Sequence, residues 1–221
     1  MVSNFDFLKK DFPVLSNFGE MAEKYCYSDS NSCLMKLGMI GETIVNLMFT
    51  YDRIAFPHDN TAVARIDKLS REGLLTSDLV AILHGLRKVR NKAVHENYAS
   101  IADDKTFLPM AHSLCEWFMQ TYGDWNYSHK DFVMPEENTV LGTVDKEAEE
   151  KKESELTKLA EQMAAAAPII EQTERKKQAY KAANQRPKTE AETRFLIDEQ
   201  LRMVGWDADT ENLRYSKGTR P

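Results

Sequence analysis

The sequence predicts a mostly α fold: an up-down bundle of helices followed by a charged helical stretch. Apolar residues recur every three or four positions through residues 18–27, 32–51, 61–72, 78–98 and 106–122. That is the repeat of helices with one buried side. Polar and glycine punctuation separates these stretches at residues 28–32, 54–62, 73 and 100–105, where caps and turns belong. Composition then shifts after residue 136. Between residues 145 and 186 the chain is mostly Ala, Glu, Lys, Gln and Leu, with Tyr180 as its one aromatic. The expected divisions are a helical bundle over 1–135, a charged helical linker over 136–186, and a further piece over 187–221.

Residues 4–17 carry Phe5, Leu8, Phe12 and Leu15 as anchors on a short helical or turn segment that Pro13 interrupts. A short helix follows at 18–27, and residues 29–32 offer caps for the next. Helix 32–51 bears Cys33, Leu37, Ile40, Ile44, Leu47 and Tyr51 on one stripe and Met35, Val45 and Phe49 on another. Two apolar faces make it a central helix. Glu42 lies on the second face. Pro57, Asp59 and Asn60 mark a loop. Val63, Ile66 and Leu69 face inward from helix 61–72, which Gly73 ends.

Ser77 or Asp78 is expected to cap helix 78–98. A polar turn at 100–105 leads to the last bundle helix, 106–122, with Leu108, Ala111, Leu114, Cys115 and Phe118 toward the core. Residues 124–135 read as an aromatic tail folded back on the bundle. In the linker, Glu147, Lys151, Glu155 and Lys158 are spaced for ion pairs on a solvated helix. Leu156, Leu159, Met163, Ile169 and Ile170 give too few heptads for a coiled coil, and Pro168 divides the linker in two. Pro187 is a hinge, Thr189 caps a helix over 190–204, and Gly205 stops it.

Helix 78–98 holds the side chains of most chemical interest. Leu79, Ile82, Leu83, Leu86, Val89 and Ala93 form its apolar stripe. Arg90 falls within about 40° of Leu86 on the helical wheel, inside that stripe. A guanidinium there needs a carboxylate, and Glu42 is the expected partner; a solvated Glu42 at a rim is the alternative. His95 lies about 180° from Leu86, so Arg90 and His95 meet only through a bend or a dimer seam. Arg87, Lys88 and Lys92, together with Lys176, Lys177, Lys181, Arg186 and Lys188, are the groups that would touch phosphate if the protein bound nucleic acid. A solvated charge run is the other reading.

Composition sets bounds. Hydrophobic residues make up 42% of the 221 and charged residues 29%, which fits a soluble, partly globular chain. A net charge of −6 argues against binding nucleic acid over the whole surface, though a local basic face remains open. Cys26, Cys33 and Cys115 contain no CxxC, which points to a reducing compartment and no zinc site. Cys26 and Cys33 are open to pairing, but an odd count favours free thiols. His58, His84, His112 and His129 lack metal-ligand spacing. Residues 1–11 do not read as a signal peptide. The apolar run at 33–49 is broken by Lys36 and Glu42, so no membrane span is expected and the cytoplasm is the expected compartment. No G-x-x-x-x-G-K-[ST] phosphate loop occurs, so the chain itself is expected to hold no nucleotide cofactor.

Two sets of residues carry a resemblance. Arg90-Asn91-Lys92-Ala93-Val94-His95 resembles the R-N-x-x-x-H motif of the HEPN superfamily of small helical bundles, some of which cut RNA without metal across a dimer cleft. Glu192-Thr193-Arg194, Leu196-Ile197-Asp198, Gln200-Leu201, Gly205-Trp206 and the run from Leu213 through Gly218 look like the opening of the nuclease domain in the R subunit of type I restriction enzymes. Asn4 through Lys9, Gly41-Glu42 and the Arg90–His95 helix resemble that subunit's HEPN-like leading domain. The order of bundle, linker and nuclease start also agrees.

The resemblance implies the truncated start of an α/β PD-(D/E)xK nuclease domain over 187–221, with its Asp and Glu-x-Lys beyond Pro221. Glu192 would be a partial nuclease-site acid or, equally, an acid favoured by its helix dipole. Mg²⁺ and ATP are implied for the full-length parent subunit, not for this chain. The implied partners are the methylation and specificity subunits, duplex DNA through the full-length subunit, and a homodimer through the bundle. The function expected is docking or regulation within a DNA-restriction enzyme that defends against foreign DNA. The alternatives are a HEPN-type metal-independent RNase using Arg90 and His95, and a nucleic-acid-binding module.

Overall fold

Helix α2 (Ser30–Tyr51) is the axis of the fold. Leu34, Leu37, Ile40, Ile44, Leu47 and Met48 are all buried, and the helix packs against α1 (Pro13–Tyr25), α3 (Ala62–Arg71), α4 (Ser77–Glu96), α5 (Ile101–Tyr122) and α6 (Lys146–Ala166). Its length and hydropathy would suit a membrane span. Here those apolar residues are taken up by neighbouring helices instead. The structure, a computed structural model, describes residues 2–137 and 146–206. Two further helices complete it, α7 (Gln172–Gln185) and α8 (Glu190–Met203), and no strand occurs among the described residues. The chain divides into two compact units, Met1–Pro187 and Lys188–Pro221.

The core of the first unit is aromatic. The Phe12 ring lies tilted 4.8 Å from Phe118, which stacks on Tyr122 at 4.8 Å. Trp117 is fully enclosed. A fully buried ring of this size contributes about 1.5–3 kcal/mol through apolar transfer. Gly19 and Gly38 serve close approach: a Cβ on the first would overlap the Phe5 ring, and one on the second the Arg90 side chain.

Several boundaries differ from those the sequence suggests. Pro13 starts α1 rather than interrupting a segment; at the first helical position proline lacks only an N–H that had no partner anyway. The cap of α4 is Thr76, with no side-chain capping bond, so Ser77 and Asp78 lie inside the helix. The expected polar turn at 100–105 is the first turn of α5. Ser100 accepts the Asp103 N–H at 3.1 Å, and Asp103 and Asp104 sit where the helix dipole favours acids. Asn97 ends α4 in the left-handed region at φ 50°, a conformation asparagine tolerates.

The largest correction concerns the linker. It is not a solvated spacer but part of the first unit. The Lys36 ammonium in α2 meets Glu149 and Glu153 of α6 at 2.6 and 2.5 Å, with all three side chains nearly buried. The Tyr25 hydroxyl donates to Glu149 at 2.8 Å. Ala160 and Ala164 bury the small-residue side of α6. The chain breaks after α6, as Pro168 requires, and α7 returns along α5. There the Trp117 indole N–H donates to the Ala179 carbonyl at 3.0 Å. Arg175 of α7 is enclosed, bonded to Asp52 at 3.1 Å and to the Thr121 carbonyl, with its guanidinium 4.2 Å from the centre of the Tyr122 ring.

The aromatic tail does fold back. Buried Glu116 accepts from the Tyr127 hydroxyl (3.2 Å) and the Lys130 N–H (2.8 Å), and lies 3.0 Å from His129 Nδ1. Asn4 exchanges two hydrogen bonds with the Val133 backbone.

In the second unit, Thr189 Oγ1 accepts the Glu192 N–H at 3.1 Å and so caps α8. The expected features at residues 207–221, including the Leu213–Gly218 run, lie outside the described residues.

Candidate functional site

Arg90 sits on the α4 stripe because Gly38 makes room for it on α2. Its Cβ, Cγ and Cδ occupy the space a side chain at 38 would need. The stem therefore lies against the α2 backbone while the head reaches outward, as long cationic side chains do. Arg90 Nη1 stands 3.1 Å from Glu42 Oε2. The two side chains remain 36% and 43% exposed, so the pair lies at a rim rather than among the leucines. A pair this wet is worth roughly 0–1 kcal/mol. The burial expected for Arg90 is corrected accordingly.

His95 is exposed near the end of α4. Five residues on from Arg90, it stands about 140° around the helix, and α4 ends at Glu96 only one residue later. One chain does not bring the two together.

The basic residues are dispersed. Lys92 lies 5.3 Å from the Tyr98 ring centre, and Lys88 is exposed. Lys177 and Lys181 are exposed on α7, whereas Lys176 is half-buried with its stem beside Gly73. Arg186 turns inward, donating to Ser113 Oγ at 2.7 Å, so it serves the fold rather than a phosphate. Glu192 occupies the first turn of α8. Among the described residues no three His, Cys, Asp or Glu side chains gather to hold a metal ion.

Beside the Arg90–Glu42 pair lies a cavity of about 350 Å³ between α2, α3 and α4. Val45, Ile66 and Leu83 line its apolar part, and Arg65, Arg87 and Arg90 bring three guanidinium groups to it. Arg65 is held by two neutral amides, Asn60 Oδ1 at 2.8 Å and Asn46 Oδ1 at 2.6 Å, and lies 5.0 Å from the Phe56 ring centre. The Arg87 Nε is enclosed with no hydrogen-bond partner among the described residues. Sequence reasoning placed Arg87 on a wet face and did not single out Arg65. Helix α3 closes over both, and nothing in the periodicity of α4 shows that.

A second cluster joins α1, α2 and α5. Cys26 and Cys33 are both buried and free, so the pairing left open above does not form. Asp104 beside them is fully enclosed. Burial pushes its carboxyl up to about 6, against the weaker pull of Ser30 and Cys33.

The profile of a family described as Domain of unknown function (DUF4145) matches residues 20–163, about two-thirds of the chain. The chain belongs to the DUF4145 family. The match runs from α1 through nearly all of α6, across the boundary once expected at residue 136. That agrees with α6 being an integral helix of the bundle. The chain is also 27% identical to the type I restriction enzyme EcoKI endonuclease subunit of Escherichia coli (strain K12), over 99% of its own length. The resemblance to an R subunit therefore rests on chain-long similarity. The chain spans 23% of the length of that relative. No solved structure matches.

Proposed function

We propose that this DUF4145 chain is a docking and regulatory region of a type I restriction R subunit and does not cut DNA or hydrolyse ATP by itself. The observation that carries this reading is the chain-long similarity to a type I restriction endonuclease subunit. Docking is supported by α8 and the residues after it. Ile197, Leu201 and Val204 recur at helical spacing, and with Trp206 just past the end of α8 they leave apolar side chains open to solvent, the kind of surface that marks a protein contact. The partners proposed are the methylation and specificity subunits. In the full-length subunit, duplex DNA, Mg²⁺ and ATP would be engaged by parts outside this chain.

The test has two arms. Purified chain incubated with Mg²⁺, ATP and duplex DNA should show neither cleavage nor phosphate release, and activity in either assay would overturn the reading. In pull-downs, the reconstituted methylation and specificity subunits should retain the chain, and Trp206→Ser should weaken retention about tenfold or more, as loss of an aromatic anchor does.

One observation keeps the RNase reading in view. Val94 and His95 are both exposed, so a second copy could meet α4 there. In that arrangement His95 would move the proton and Arg90 would steady the phosphorane charge. Arg90 would first have to leave Glu42. An RNA digestion that is lost in His95→Ala but kept in His129→Ala would favour this reading over docking.

A further inference from the structure

The cavity between α2, α3 and α4 has an electrostatic imbalance that the fold does not resolve. Three arginines line it, with Glu42 as the one lining carboxylate. Glu42 is already engaged by Arg90 at 3.1 Å. Among the described residues the hydrogen-bond partners of Arg65 are neutral amides, which aim it without neutralising it. Among the described residues Arg87 forms no ion pair, and its Nε makes no hydrogen bond. Its charge is felt locally: burial, and after it the Arg87 charge, hold the neighbouring His84 below the ordinary histidine range. Two uncompensated guanidinium groups thus share one concave space in a protein whose net charge is −6. A concave space with surplus positive charge favours an incoming anion.

The rest of the cavity says what that anion carries. Its volume, about 350 Å³, lies in the range of small-ligand sites, which are mostly apolar with a few convergent polar groups. Val45, Ile66 and Leu83 supply the apolar wall. The planar fork of arginine suits carboxylate and phosphate oxygens, which it can grip by two parallel bonds.

We propose that this cavity binds a small organic anion, its carboxylate or phosphate head held by Arg65 and Arg87 and its apolar body against Val45, Ile66 and Leu83. Glu42 sets the affinity by opposing the anion and by occupying Arg90. This binding site is independent of the docking reading.

The experiment is calorimetric titration of the full chain with phenyl phosphate, benzoate, inorganic phosphate and benzyl alcohol. Phenyl phosphate or benzoate should bind saturably and at least about tenfold more tightly than inorganic phosphate or the neutral alcohol. Which of the two aromatic anions binds better assigns the head group. Arg65→Gln and Arg87→Gln should each weaken binding about tenfold, which corresponds to about 1.4 kcal/mol. Glu42→Gln should strengthen binding about threefold or more by freeing Arg90, a gain that misfolding does not produce. Circular dichroism of each variant reports folding, and Arg87→Lys should retain part of the affinity if the charge matters. Absence of saturable binding by either aromatic anion up to about 10 mM would overturn the proposal. So would equal binding of benzyl alcohol, affinity unchanged in the two Arg→Gln variants, or weaker binding in Glu42→Gln.

Discussion

At the scale of single residues, the decisive positions are those where a small or charged side chain meets a neighbour with no room to give. Gly38 is one. A Cβ there overlaps the Arg90 stem from its Cβ outward. Gly38→Ala should therefore destabilise the chain by about 1–2 kcal/mol despite the better helix propensity of alanine, read as a lower urea midpoint. Shortening Arg90 to Ala should not restore stability, because the overlapping Cβ remains. Asp104 is another. Its folded pKa, about 6, is raised by burial above the ordinary value of 3.8. The folded state thus binds the proton more tightly than the unfolded chain. The stability this contributes is present below about pH 4 and is lost as pH rises through about 6. Asp104→Asn should flatten that part of the stability–pH curve and leave the chain more stable at pH 7 than the parent, as thermal melts at several pH values will show. The approach of Arg90 to Glu42 could be argued from the sequence, because a cation on an apolar stripe needs an acid. Its wetness could not, since it follows from where α3 stops and the cavity opens.

At the scale of elements, the five stretches with clean three- and four-residue apolar spacing each hold a helix. Their positions could be read because leucine, isoleucine and phenylalanine mark a buried face without ambiguity. Helix α6 shows where such reading fails. Its contact face is made of Ala160, Ala164 and two glutamates, and alanine and glutamate are also what a wet helix contains. The partner of those glutamates, Lys36, looked like an interruption of an apolar helix. It is instead the cation that seats α6. Burial works to lower its pKa, yet hydrogen bonds and attraction from Glu149 and Glu153 outweigh this and hold it above the usual lysine range. Lys36→Met should leave two nearly buried carboxylates facing each other. The cost should be about 3 kcal/mol at pH 7, with faster amide hydrogen exchange along α6. Below about pH 4, where carboxylates take up protons, the difference from the parent should shrink. The fold-back of the tail at residues 124–135 is legible in its aromatic content. The acid that gathers it, Glu116, was missed because a single acid on a core helix carries no pattern.

At the scale of the whole molecule, the first unit ends at Pro187 rather than near residue 135. A chain of residues 1–187 should melt cooperatively at close to the parent temperature. A chain of residues 1–137 should not, because it uncovers Trp117 and Lys36 and leaves Asp52 without Arg175. Its melting temperature should fall by at least about 10 °C, or it should aggregate on concentration. Both outcomes can be read by scanning calorimetry. The overall class was legible in the sequence because helical spacing is local. The division into units was not, since it depends on contacts between residues more than a hundred positions apart.

The end of α2 also fixes how the protein carries load. Arg53, in the left-handed region at φ 52°, donates to the carbonyls of Ala164, Ala165 and Ala167 at the close of α6, while its neighbour Asp52 grips Arg175 of α7. Tension applied beyond Pro187 therefore meets α5 first, at Arg186–Ser113 and Ala179–Trp117, and reaches the end of the central helix only through Arg175. Under a pulling force the Arg186–Ser113 bond should give way first and the buried arginine–aspartate clasp after it.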